Sequence, residues 1–387
     1  MNLSITTADF VRTVSTVAEN YGFQPLALAQ KTKVESPEKS HAHTIATKDR
    51  YKDSLHGLLT NGVSVFCEHK WHANGRPLFV YSIDRVPRTD EIAVSYHIYN
   101  VDKSIAEALL IHSLRALVQE LGFSDHCIRI NSLGDTESST RYHRELTHFL
   151  RKRIEHLPPT ARELMKEHAT HALQYLIEKD HELIYRAPNP LEYLSDISRK
   201  HFREIVEFLD MSNALYEIDP KLHGHHECYS DALFTFDLNN TDSEAELQIA
   251  GGRIDNFVEQ HTGERYPTVG AVAILRSRKA PKRLSRPRLP TPSVYVVHLG
   301  FGPKIRTLLL LDELRQAKIP IYHNVASDSL SEQLRDAESQ GCAYTVIIGQ
   351  KEYVEGSVIL RDMNGRNQET IPQQQLIKRL KRTKATA

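Results

Sequence analysis

Apolar residues recur at intervals of three and four through Phe10, Val11, Val14, Val17 and Ala18. This predicts an amphipathic helix over residues 8–22, closed by Tyr21 and Gly22. A short extended segment over 23–29 follows, then a polar, irregular stretch over 31–50. Alternation over 63–68 predicts a strand, and Ala73-Asn74-Gly75-Arg76 reads as a turn before two further strands over 77–83 and 92–101. Residues 102–121 return to the helical period, with His112 at the edge of the apolar stripe and Gly122 at the end. Residues 127–134 read as a strand and turn. The stretch 135–215 is mostly helical, over 142–154, 161–176, 190–194 and 198–209, with proline pairs between the segments. Beyond residue 293, strands are predicted over 294–299, 319–322, 343–349 and 355–362, and helices over 304–317, 330–340 and 372–380. That alternation defines a small α/β layer unit with a mixed sheet. The chain as a whole is of α/β class, with units at 1–280 and 293–387 joined by a Pro-rich basic linker at 281–292.

Composition narrows the class. The 387 residues, 40% hydrophobic and 25% charged, are enough for two domains with a core each. No stretch is long and apolar enough to span a bilayer, and residues 2–9 are polar without the layout of a secretory leader, so a membrane partner is not expected and a cytoplasmic location is. The four cysteines lie far apart and suit a reducing compartment. Net charge is zero, but the run from 276 to 288 holds Arg276, Arg278, Lys279, Lys282, Arg283, Arg286 and Arg288 without an acid. Such a block favours a nucleic-acid backbone, although a solvated linker has the same composition. A second basic cluster, at residues 378–384, closes the chain. His41 and His43 have no third ligand nearby. His223, His225, His226, Glu227 and Cys228 are weak metal candidates, because alternate residues of an extended segment point apart, and no metal is expected.

Four segments carry a resemblance: Ala250-Gly251-Gly252-Arg253-Ile254-Asp255 followed by the strand-like run 266–277, the segment 216–222, the strand and turn 127–134, and the run 294–380. Together they resemble the histidyl-tRNA synthetase family of class II aminoacyl-tRNA synthetases. The resemblance implies an antiparallel catalytic sheet flanked by helices, a helical insertion over about 135–215, a C-terminal anticodon-binding domain, and a homodimer with region 8–29 at its contact. The hairpin of 77–83 and 92–101 resembles the family's motif 2, whose arginine holds the α-phosphate of ATP. Its loop is short here, and Arg85 and Arg88 are the candidates for that role.

Several residues depart from the family pattern. Gly224 stands where the family has the arginine that contacts the activated carboxylate, Glu227 lies within the same segment, and Cys228 replaces the first of two tyrosines. Only Tyr229 remains. Ser277 stands at the arginine that clamps the γ-phosphate, with Arg278 a better substitute than Arg276 because a one-residue slip on a strand reverses the face. Arg253 and Asp255 are expected to pair beneath the pocket, and the two preceding glycines fit either a close backbone approach or a turn. In the C-terminal unit Tyr322, His323 and Asn324, with Gln350 and Lys351, are candidates for gripping single-stranded bases. The family's basic phrase in that domain is replaced by hydroxyls and acids at 327–333, which favours a protein partner there.

The resemblance therefore implies a non-catalytic, homodimeric binding or regulatory protein whose partner is tRNA, another RNA or a protein, with no cofactor. The alternatives are an active ligase using ATP and magnesium with Arg85, Arg88, Arg253 and Arg278 in altered roles, a DNA-binding accessory protein, and a regulatory subunit of histidine biosynthesis. Proteins of the last kind lack the C-terminal domain.

Overall fold

The computed structural model describes residues 5–26, 59, 62–63, 66, 77–86, 91–123, 126–224, 228–238, 246–276, 292–365 and 367–384. The first helix, Thr7–Asn20 (α1), starts where the Thr6 side chain accepts the Asp9 N–H, and it buries Phe10, Val11, Val14 and Val17. Gln24–Pro25 (β1) then pairs in parallel with Leu78–Arg85 (β2), which forms the expected hairpin with Ile92–Tyr99 (β3). The hairpin closes tightly, with the Val86 N–H donating to the Glu91 carbonyl at 3.1 Å.

Alternation over 63–68 did not survive. Leu59, Gly62, Val63 and Phe66 are helical, and Leu59, Val63 and Phe66 are fully buried. Their spacing of four and three makes one apolar helical face, and packing that face on β3 outweighs the local period of two. Phe66 stacks on Tyr99 at 4.1 Å between ring centroids.

Ile105–Glu120 (α2) is the central helix, buried along nearly its whole length, His112 included. His126–Ser132 (β4) leads into the insertion: Thr136–Arg151 (α3), Pro159–Glu167 (α4), Ala169–Glu178 (α5) and Asp196–Met211 (α6). The helix expected over 161–176 is two helices. His168 adopts extended angles and caps α5 by accepting the Thr170 N–H, which breaks the helical ladder. Tyr216–Ile218 (β5), Ser230–Leu238 (β6), Glu246–Arg253 (β7), Asp255–Thr262 (α7) and Thr268–Arg276 (β8) complete an eight-stranded sheet in the order β1-β2-β3-β8-β7-β6-β4-β5. Its central pairs are antiparallel. One face packs on α1, α2 and α6, and the other carries the cluster of Leu59, Val63, Phe66, Cys228, Tyr229, Leu233 and Phe257.

The second unit holds Val294–His298 (β9), Phe301–Gln316 (α8), Ile321–His323 (β10), Leu330–Ser339 (α9), Tyr344–Ile348 (β11), Gln350–Glu355 (α10), Ser357–Asp362 (β12), Gln368–Pro372 (β13) and Gln373–Lys384 (α11). The sheet order is β10-β9-β11-β12-β13, parallel over the first three strands and antiparallel beyond, so the sheet is mixed as expected. The sequence pattern missed α10 and β13. Helix α10 is only six residues long, and β13 is an exposed edge strand without an apolar side to announce it. The two units touch along α1, α2 and α8, where Tyr21 donates to Asp312 and Arg315 pairs with Glu120.

Candidate functional site

The Gly-Gly-Arg run lies inside β7 rather than at a turn, and neither glycine has a positive φ. Both are needed for close approach. A Cβ on Gly251 would stand 2.6 Å from Ala271 Cβ, and one on Gly252 would stand 2.6 Å from the Ala232 carbonyl oxygen and 2.9 Å from the Tyr229 ring.

Arg253 is 2% exposed and runs beneath this sheet face. It pairs with Asp255 at 3.5 Å, as the sequence leads one to expect, but its main partner is Glu107 on α2. Nε and Nη2 donate to the two Glu107 carboxylate oxygens at 2.7 and 2.8 Å, a fork-to-fork geometry. His201 on α6 lies 2.8 Å from the same carboxylate. Burial alone would raise the Glu107 pKa, but Arg253 and His201 overcome it and hold the group at about 2. Burial opposes charge on His201 as well, and Glu107 reverses that, so its pKa is raised.

A bulge in β6 between Ser230 and Leu233 adds Asp231 to the network. Asp231 adopts φ 45°, an unfavourable value for a residue with a Cβ, and it accepts the Ser198 hydroxyl at 2.7 Å. Glu107, His201, Asp231 and Ser198 escaped sequence reasoning. Glu107 had one signal available: it is a carboxylate within the apolar stripe of a helix.

Above Arg253, Gly224 and Tyr229 meet. A Cβ on Gly224 would stand 2.0 Å from Cδ2 and 2.5 Å from Cε2 of the Tyr229 ring. That ring is 4% exposed and wedged between the backbones of Gly224 and Gly252. No side chain of any length fits at residue 224 while Tyr229 holds this position.

The metal candidates divide. His223 is committed through both ring nitrogens, to the Tyr142 hydroxyl at 2.8 Å and the Lys221 carbonyl at 3.1 Å. Burial pushes the Cys228 thiol up to about 12, so it stays protonated. His225, His226 and Glu227 lie outside the described residues, as do His41 and His43. Among the described residues no group of three His, Cys, Asp or Glu side chains converges on a metal-sized site.

The candidate arginines are dispersed. Arg276 ends β8 at the surface, paired with Glu91 at 2.5 Å and with Glu246 at 3.1 Å. The Arg85 backbone closes β2 opposite Ile92, while its side chain, and all of Arg88, Ser277, Arg278, Lys279, Lys282, Arg283, Arg286 and Arg288, lie outside the described residues. In the second unit His323 is buried against α1, with Nε2 3.0 Å from the Tyr21 carbonyl oxygen, and so presents no surface for base stacking. Tyr322 and Asn324 are half-buried, Asn324 donating to Asp336 at 3.3 Å, and Lys351 is exposed. Lys378, Arg379, Lys381 and Arg382 of α11 are also exposed.

Residues 294–383 match the anticodon binding domain family. With the antiparallel sheet and its flanking helices, this defines a class II synthetase-like fold carrying a C-terminal anticodon-binding domain. The chain is 30% identical over 271 residues to the histidine–tRNA ligase of Fervidobacterium nodosum, covering 69% of this chain and 63% of that one. It is 26% identical over 390 residues to the histidine–tRNA ligase of Dehalococcoides mccartyi, covering 96% and 91%. The apo histidyl-tRNA synthetase structure from S. aureus aligns over 82% of this chain and 80% of its own, at 18% identity and a TM-score of 0.46. The chain is homologous to the histidyl-tRNA synthetase family. Among the described residues no helix is long and apolar enough to cross a membrane.

Proposed function

We propose that this protein is a non-catalytic, homodimeric histidyl-tRNA-synthetase-like binding or regulatory protein with an RNA partner. One observation carries the loss of chemistry. Where the family resemblance requires an arginine against the activated carboxylate there is Gly224, and the Tyr229 ring fills the space such a side chain would need. Adenylation is electrostatic work, done by cations set where negative charge develops, and a glycine supplies none. The ligase alternative needs substitutes. Arg253 is consumed by Glu107, and Arg276 by Glu91 and Glu246, so neither has a free guanidinium for a phosphate. The RNA partner is supported by the anticodon-binding match, the exposed basic residues of α11 and the seven basic residues of the run 276–288.

ATP–pyrophosphate exchange with each amino acid and magnesium tests this reading. No exchange above background is expected from the folded wild-type chain. Gly224→Arg is expected to restore none and to lower stability by about 1–3 kcal/mol, because overpacking forces a buried ring off its seat. Histidine-dependent exchange by the wild type would sink the proposal. RNA binding that fails to weaken as salt rises would remove the nucleic-acid part of it.

A further inference from the structure

Helix α3 carries a surface cavity of about 340 Å³, lined among the described residues by His143, Arg144, Thr147, His148 and Arg151. Arg144, His148 and Arg151 fall at i, i+4 and i+7 and so share one face of the helix, over roughly 10 Å of its length. His143 and Thr147, one turn apart, form the adjacent stripe. These groups are uncommitted. Among the described residues the side chains of His148 and Arg151 make no hydrogen bond or ion pair, and neither does the Thr147 hydroxyl. Arg144 makes only an exposed contact with Glu145, 3.4 Å away, which leaves most of its guanidinium free.

His143 adds an independent demand. It is half-buried, with its ring edge-on to His168 at 5.0 Å between centroids. Neither ring nitrogen makes a hydrogen bond, and Nδ1 is closed to solvent. Burial, and then the neighbouring His168 and His223, hold its pKa at about 4, so the ring is neutral with one N–H to donate. A half-buried imidazole without a partner is costly, and an oxygen acceptor in the cavity completes it. Complementing the helix dipole accounts for His148 and Arg151, which lie in the last turn of α3. It does not account for Arg144 two turns upstream, for the concavity, or for the unbonded imidazole.

We propose that this cavity binds a phosphate group, gripped by Arg144 and Arg151, with His148, Thr147 and His143 completing its oxygens. The lining offers five side chains that can donate and no acid apart from Glu145 beside Arg144. A guanidinium fork matches the spacing of phosphate oxygens, and a carboxylate has too few oxygens to engage every donor here. The volume lies at the lower end of small-ligand sites, ~300–1,000 Å³, with room for a phosphate and the group it esterifies. That phosphate belongs to a free phosphate ester or to an RNA backbone. The site itself does not depend on the RNA reading above.

Calorimetric titration of the full chain near neutral pH, at constant ionic strength in chloride, tests the site with inorganic phosphate and with a short oligouridylate. Arg144→Gln and Arg151→Gln, both at exposed positions, are each expected to weaken phosphate at least ten-fold. His143→Phe keeps a ring beside His168 but removes the donor, with an expected loss of about five-fold. Arg203→Gln, an exposed arginine of α6 outside the cavity, is expected to leave the affinity unchanged. Oligouridylate that displaces phosphate, and is itself weakened by Arg151→Gln, supports the site and assigns its phosphate to RNA. Phosphate that binds without being displaced supports the site and assigns it to a free ester. Binding of neither probe would overturn the site, as would binding unchanged in Arg144→Gln/Arg151→Gln.

Discussion

Acid is expected to unfold this protein between about pH 6 and pH 4.5, above the range set by its carboxylates. His97, His112 and His323 are held at about 4 and His298 at about 3, each chiefly by burial, which penalises the imidazolium. The folded pKa lies below the unfolded value of about 6.5, so the unfolded chain binds more protons as the pH drops. Stability from these groups is complete above pH 6.5 and is lost as the pH falls toward the folded values. At pH 5 each such histidine costs about 2 kcal/mol, or about 8 kcal/mol for four, against a typical domain stability of about 5–15 kcal/mol. His201 works in the opposite sense. Its raised pKa beside Glu107 contributes stability below about pH 6.5 that is lost as the pH rises through the folded value, but it is one group against four. Circular dichroism at 222 nm against pH should show one steep transition, and His112→Leu should move it to lower pH. A wild type still folded at pH 4 would mean that these rings are protonated inside the fold.

The second large effect lies in the charges under β7. Glu107→Ala is expected to cost about 3–5 kcal/mol in urea denaturation, because it removes the two-pronged partner of the buried Arg253 guanidinium and leaves Asp255, 3.5 Å away, as its salt-bridge partner. The double variant Glu107→Leu/Arg253→Met should recover more than half of that loss, since it buries no uncompensated charge on either side of the pair. Asp255 and His201 then retain partners in Thr268, whose N–H donates to Asp255 at 2.8 Å, and in solvent at the partly exposed His201 edge. A double variant no more stable than the single would mean that the pair's value lies in its shape rather than in its charge.

These two sites also mark how far sequence reading reaches. Helix α2 was legible because its apolar residues keep a period of 3.6 over four turns, and β2 and β3 because their alternation is bounded by turn residues. The stretch around Val63 was misread because six residues of alternation fit a strand, whereas the deciding contacts, Phe66 on Tyr99 and Leu59 against His97, come from residues more than thirty positions away. The same limit applies to the site. Gly224 and Tyr229 are five residues apart and could be named from the motif, but nothing in the motif shows that the ring of one occupies the side-chain space of the other. Arg253 was expected to pair with Asp255, two residues along, and instead takes its main partner from 146 positions upstream. Nor does the sequence signal that Asp231 is turned into this network by a bulge.

The seating of Tyr229 has an evolutionary corollary. Because its ring lies against both Gly224 and Gly252, a long side chain returns to position 224 only after the ring has left. The family pattern holds an arginine and this tyrosine together, so the ring must be reseated rather than replaced, and lengthening residue 224 alone lowers stability. Selection acting one substitution at a time meets a valley there, so the exchange at residue 224 behaves as a ratchet: easy to enter by drift and hard to reverse.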